Sequence, residues 1–331
     1  MGNPKVWLII IVVLAMVVVG FLLAGPQPEI SLAAETVFSI GSWHITNTVI
    51  TAYIVSAILV IASIIATRKA SLIPSGFYNF VEAIVEWMAS VVDEIAGPIN
   101  GPRFFPLVAT IFLFIISCNY FGLLPIVNSI GVAHHVEDEA GFVAKDVAGI
   151  KVIMPHAAKV TEDNKDTSSH KDDPNLIEFR PALRSVNSDL NSPLAIAIWS
   201  FIFVEMWGFQ SLGLKYLGKF FAFPPFAKFS PIGLFVGFLE FLSELIRIIS
   251  FTFRLFGNIF AGDVLITFIS FLAPFVFPVV FYGLETFVGF IQAAVFALLT
   301  LVFAVMAVEH HDEGGHEAHE PHGGHAEAAA H

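Results

Sequence analysis

Long apolar runs alternate with polar stretches along this chain, and the lengths of the runs are those a bilayer demands. Val6 to Leu23 is apolar behind a single Lys5 and is followed by Gly25-Pro26-Gln27-Pro28. It is barely long enough to cross about 30 Å of hydrocarbon, yet longer than an ordinary export-signal core, so residues 1–35 read as an export signal or an N-terminal anchor. Asn47 to Ala66 is a clear span and ends in Thr67-Arg68-Lys69. That end belongs in the cytoplasm, because short cytoplasmic flanks carry the excess of Lys and Arg. From Gly76 to Ile95 the pattern changes, with Phe77, Phe80, Val81, Ile84, Val85, Trp87, Met88, Val91 and Val92 interleaved with Glu82, Glu86, Asp93 and Glu94. This spacing predicts an amphipathic helix lying on the membrane face. Phe104 to Leu124 spans again, with Asn119 near its outer end, and Pro125 stops it. Residues 36–126 therefore hold two spans and an interfacial helix.

Residues 127–190 lose hydrophobicity and read as an extracytoplasmic polar loop, with 11 acids against 7 bases. Its His134, His135, His156 and His170 read as solvated side chains and not as metal ligands. Asn187-Ser188-Asp189-Leu190-Asn191 leads into a further span, Pro193 to about Leu217, inside which Glu205 is an unexpected carboxylate. Lys215, Lys219 and Lys228 then mark the return to the cytoplasm. From Ser230 to Ala273 run roughly 44 residues, about 65 Å of helix, which is twice the hydrocarbon core. A helix of that length has to tilt strongly. Pro274 and Pro278 bracket a turn, and Val279 to Val308 is a second overlong helix, completing a membrane region over 191–308. The tail, 309–331, carries seven of the 12 histidines among Glu, Gly and Ala and reads as a disordered cytoplasmic segment.

Composition sharpens this picture. The 331 residues are 56% hydrophobic and 13% charged, where soluble domains carry roughly 25% charged residues. The fold class is an all-α integral membrane protein of about five transmembrane helices plus one interfacial helix, ending in a tilted hairpin. A formal charge of −12 argues against nucleic-acid binding, and one cysteine, Cys118, excludes a disulfide framework or a thiolate metal site. Nothing in the pattern calls for a cofactor or a metal.

Against this background one stretch stands out. Glu240 to Asp263, EFLSELIRIISFTFRLFGNIFAGD, puts two acids and two arginines at the head of an apolar run. A charge at the bilayer centre costs about 2.5–3.5 kcal/mol on insertion scales, so such groups are functional candidates. At 100° per residue Glu240, Glu244, Arg247, Arg254, Asn258 and Gly262 fall close to one line, with Ser250 between them and Asp263 roughly 100° further round. A cytoplasmic loop between two ordinary spans remains an alternative up to Arg254. No proline or glycine lies between Leu239 and Phe256 to turn the chain. On the last helix Glu285, Gly289, Gln292 and Phe296 share a second stripe.

The run Arg-Leu-Phe-Gly-Asn-Ile-Phe-Ala-Gly-Asp at 254–263, followed by a helix with Gln292, resembles subunit a of the rotary ATP synthases. The resemblance implies a stator that carries protons past a rotating ring of c subunits, beside b subunits and membrane lipid. It implies that Arg254 discharges a c-subunit carboxylate. It places Glu240, Glu244 and Ser243 in a cytoplasmic half-channel, and Asp263 and Glu285 as a pair in an outer one. Gln292 is then expected near Arg254, and Phe251, Arg254 and Asn258 on the face toward the ring. Asn119, Asp189, Asn191 and Glu205 are possible additions to the path. A bacterial plasma membrane and a cytoplasmic C-terminus complete the expectation. The competing class is a secondary transporter or ion channel, whose frequent mark, an internal repeat, is not seen here.

Overall fold

The computed structural model describes residues 4–22, 33–41, 43–68, 76–135, 141–147, 150–153, 159–160, 176–213, 216–217, 220, 231–272 and 277–309. Six helices carry the fold: α1 (Pro4–Leu22), α2 (Asn47–Arg68), α3 (Phe77–Gly122), α4 (Asn191–Leu212), α5 (Pro231–Leu272) and α6 (Phe277–Glu309). Five of them, α2 to α6, are long and apolar enough to cross a membrane. The chain is an integral membrane protein whose spanning part is all α.

Local sequence explains the breaks. α3 contains both the interfacial helix and the following span, and the two arms meet at Gly97, whose φ of 73° and ψ of 165° only glycine adopts readily. Pro98 follows at the start of the second arm, where a missing N–H costs no helical bond. The first arm is not merely laid on a membrane surface: Met88 and Val92 are buried, and the Trp87 ring lies 5.9 Å from Phe112 and 6.4 Å from Phe290. α4 stops at Leu212, five residues short of the expected Leu217, because Gly213 takes a φ of 61° and its N–H closes on the Phe209 carbonyl.

α5 is continuous over 42 residues, about 63 Å, and α6 over 33, about 50 Å. The core lies where α3, α4, α5 and α6 meet, around Phe104, Ile115, Leu255 and Leu301. A smaller cluster of Val55, Cys118 and Val186 seats α2 against α3. Elsewhere α2 and α5 expose Ile58, Ile61, Ile65, Phe235, Phe238 and Phe253, as a surface facing hydrocarbon does.

Strands occur outside the spans, where none had been expected. β1 (Thr36–Ile40) and β2 (Trp43–Thr46) form a hairpin turned at Gly41, φ 62°, just before α2. The 127–190 segment holds antiparallel strands β3 (Gly131–His135), β4 (Gly141–Val147), β5 (Ile150–Ile153), β6 (Lys159–Val160) and β7 (Leu176–Pro181), ordered β3-β7-β4-β5 with β6 beside β4. Lys69, His156, His170, Lys215, Lys219, Lys228, Pro274 and the tail from 310 lie outside the described residues.

Candidate functional site

Asp263 and Glu285 come together at the end of the bundle that carries the 127–190 segment. They line one cavity of about 300 Å³ with Asn119, Asn128, Ser185, Thr267 and Tyr282. Asn128 donates a hydrogen bond to Asp263 Oδ1 at 3.2 Å. The close approach of α6 to α5 here depends on Gly262, where any Cβ would run into the Glu285 carboxyl group. Asn119 donates to the Gly289 carbonyl at 3.1 Å and accepts from Asn187 at 2.7 Å, closing the inner wall of the cavity.

At the other end of the bundle a second cavity, about 390 Å³, is lined by Glu205, Tyr216, Glu240, Glu244 and Arg247 with Val204, Phe303 and Met306. Glu244 is 1% exposed and pairs with Arg247 at 2.5 Å, and the Arg247 guanidinium sits 3.6 Å over the Phe303 ring. A desolvated carboxylate needs such a partner. Tyr216 is packed so closely on Gly208 that a Cβ there would strike its ring, and burial, with Glu205 beside it, pushes its phenol up from the ordinary value. Glu205 thus joins the acids that sequence had placed on α5.

Between the cavities lies Arg254. It is ten residues along α5 from Glu244 and nine from Asp263, about 15 Å and 14 Å of helix. Its side chain is exposed, the Phe251 ring lies 5.7 Å from its guanidinium, and among the described residues it has no ion-pair or hydrogen-bond partner. Ser250 and Asn258, one turn either side, are exposed with it. Gln292, 4% exposed, accepts a hydrogen bond from Asn258 at 2.9 Å and so reaches the turn next to Arg254 and not Arg254 itself.

Two expectations are corrected. Phe251 does not face outward with Arg254; it is 6% exposed and packs on Phe296 at 4.9 Å and Phe303 at 5.9 Å. Nor is the polar stripe of α5 one surface, since Glu244 and Gly262 are buried while Arg254 and Asn258 are open. A single line along α5 is covered by Glu285 at Gly262 and open at Arg254. Asp189 and Asn191 line neither cavity. Asp189 accepts from Thr48 Oγ1 at 2.9 Å and from Asn191 Nδ2 at 3.1 Å, tying the start of α2 to the start of α4. Sequence reasoning missed Asn128, Ser185, Tyr216 and Tyr282, which carry no charge at neutral pH and sit outside the conspicuous run. Among the described residues no cluster of His, Cys, Asp and Glu could hold a metal.

Comparison with known proteins decides the family. Residues 45–305 match the family model described as ATP synthase A chain. The chain is a member of that family. It is 28% identical over 276 residues to ATP synthase subunit a of Moorella thermoacetica, covering 83% of this chain and 96% of that one. It is 30% identical over 252 residues to ATP synthase subunit a of Geobacter sp. strain M21, covering 76% and 83%. The relative from Solidesulfovibrio magneticus is 27% identical over 298 residues, 87% of this chain and 99% of its own. As an ATP synthase A chain family member, the protein is a multi-pass subunit of the proton-translocating ATP synthase complex and not an enzyme by itself.

Proposed function

We propose that this chain is the stator subunit a of its ATP synthase, with two offset proton half-channels and Arg254 as the charge that couples proton flow to rotation of a c-subunit ring. The observation that carries the reading is an exposed arginine with no ion-pair partner among the described residues, midway along α5 between two acid-lined cavities at opposite ends of the bundle. Arginine stays charged next to lipid and neither takes nor gives protons. It attracts an ionised carboxylate on a passing subunit and forbids a straight leak.

The cavity of Asp263 and Glu285 is the outer half-channel and delivers protons to the ring. The cavity of Glu205, Glu240 and Glu244 is the inner one and receives them after the ring has turned. In the inner cavity Arg247 pairs with Glu244, and Glu240 and Glu205 line the same cavity as further acids of the exit path. Asn258 and Gln292 hold the α5–α6 spacing beside Arg254. Protons that cannot pass Arg254 ride the ring instead, and each delivers about 2.3 kcal/mol per 100 mV of membrane potential, so several are needed for one ATP.

The chain sits in a bacterial plasma membrane with its C-terminus in the cytoplasm, against the c-ring and beside the b subunits of the peripheral stalk. A secondary transporter or channel would leave the match to the ATP synthase A chain model unexplained. Cysteine cross-linking tests the ring contact. Ser250→Cys and Asn258→Cys should cross-link to cysteines in the outer helix of a c subunit within the assembled complex, and Phe251→Cys should not. Cross-linking from Phe251→Cys alone would reverse the assignment of faces.

A further inference from the structure

The Asp263 carboxylate receives a hydrogen bond from outside the membrane helices, and the donor stands in an unusual backbone state. Asn128 has a φ of 63°, and among the described residues it is the non-glycine with a positive φ. Asparagine tolerates this region better than most residues, at a cost that surrounding structure has to offset. The surroundings here are a clamp. Asn128 N–H donates to the Leu183 carbonyl at 3.0 Å, Ala182 N–H donates to the Ile130 carbonyl at 2.9 Å, and Gly131 opens the register of β3 opposite Pro181 of β7. The turn after α3 is thus the continuation of the β3–β7 ladder.

The other side of the clamp is fixed as firmly. Arg184 donates from its backbone to Thr51 Oγ1 at 3.3 Å and from its guanidinium to the Ala33 carbonyl at 2.9 Å. Ser185 packs against Gly122 so tightly that a Cβ there would meet its hydroxyl at 2.6 Å. The second end of the 127–190 segment is therefore pinned to α2 and α3, and the first end is tied to it through Leu183, at the rim of the cavity that Asp263 and Glu285 line.

We propose that Asn128 is a positioning residue for Asp263, and that the strand ladder at the base of the 127–190 segment exists to hold its amide over that carboxylate. This rests on the reading of that cavity as the outer half-channel, and it gives the segment a role in proton entry. A side-chain N–H aimed at Oδ1 orients the carboxylate and favours its ionised form. The other charged or titratable groups coupled to Asp263 are Arg184, before α4, which acts on it, and Tyr282 and Glu285 of α6, on which Asp263 itself acts.

The test is ATP synthesis by the complete complex in membrane vesicles, driven by an imposed gradient and measured against the pH of the outer compartment. Asn128→Gly keeps the backbone conformation and removes the amide, so assembly should be unchanged. The pH profile should move upward by about one to two units, the worth of one hydrogen bond to a charged group. Asn128→Asp retains a residue that tolerates the turn but sets a like charge beside Asp263, and should move the profile further the same way. In the Asp263→Asn background, Asn128→Gly should add no shift. A wild-type profile for Asn128→Gly, while Asp263→Asn alters its own, would overturn the proposal and leave Asn128 a turn residue. An unaltered profile for Asp263→Asn would overturn the outer half-channel itself, and this inference with it.

Discussion

Glycine does as much as charge to shape this site. Gly262 is the space into which the Glu285 carboxyl group reaches, so Gly262→Ala should push Glu285 out of the shared cavity with Asp263. ATP-driven pumping should then fall by about tenfold or more, as expected when a transferring group is displaced by an ångström. Wild-type pumping would show that the two carboxylates do not need to share the cavity. At the opposite end, Arg247→Ala removes the guanidinium paired with buried Glu244 and should destabilise the subunit by about 3 kcal/mol, read as a lowered Tm of the solubilised complex. The double substitution Glu244→Gln with Arg247→Met should recover most of the loss. Sequence reasoning found these acids and arginines because charge inside an apolar run is costly and conspicuous. It put Phe251 beside Arg254 on the outward face because helical phase says which residues share a line, and not which neighbour covers that line.

At the level of elements the spans were legible and their interruptions less so. A run of about 20 apolar residues has few fates besides a spanning helix, which is why α2, α5 and α6 start and stop within a few residues of expectation. The strands of the 127–190 segment were not legible, since strands of two to seven residues have no long apolar run to mark them. The kink in α3 depends on a single residue. At Gly97 a Cβ would meet nothing within 4 Å, so Gly97→Ala creates no clash and changes only the backbone cost, about 1–3 kcal/mol. That cost should appear as faster thermal inactivation of the complex. Gly97→Asn and Gly97→Val should lose stability as well, because a φ of 73° with a ψ of 165° is open to glycine and to hardly any other residue. Equal stability of wild type and Gly97→Ala would mean that the two arms of α3 can join without the kink.

For the whole molecule, the decisive feature is the offset of two cavities with a charge between them, and it appears only when α3, α4, α5 and α6 are assembled. The outer cavity draws on α3, the 123–130 turn, α5 and α6, and the inner on α4, α5, α6 and Tyr216. No single stretch of sequence contains either. The most direct test is therefore ATP-driven proton pumping into inverted membrane vesicles carrying Arg254→Ala or Arg254→Lys, with assembly checked by recovery of the intact complex. Neither variant should pump, the first because the coupling charge is gone and the second because an ammonium can give up its proton where a guanidinium does not. Pumping at the wild-type rate by the assembled Arg254→Ala complex would contradict the account.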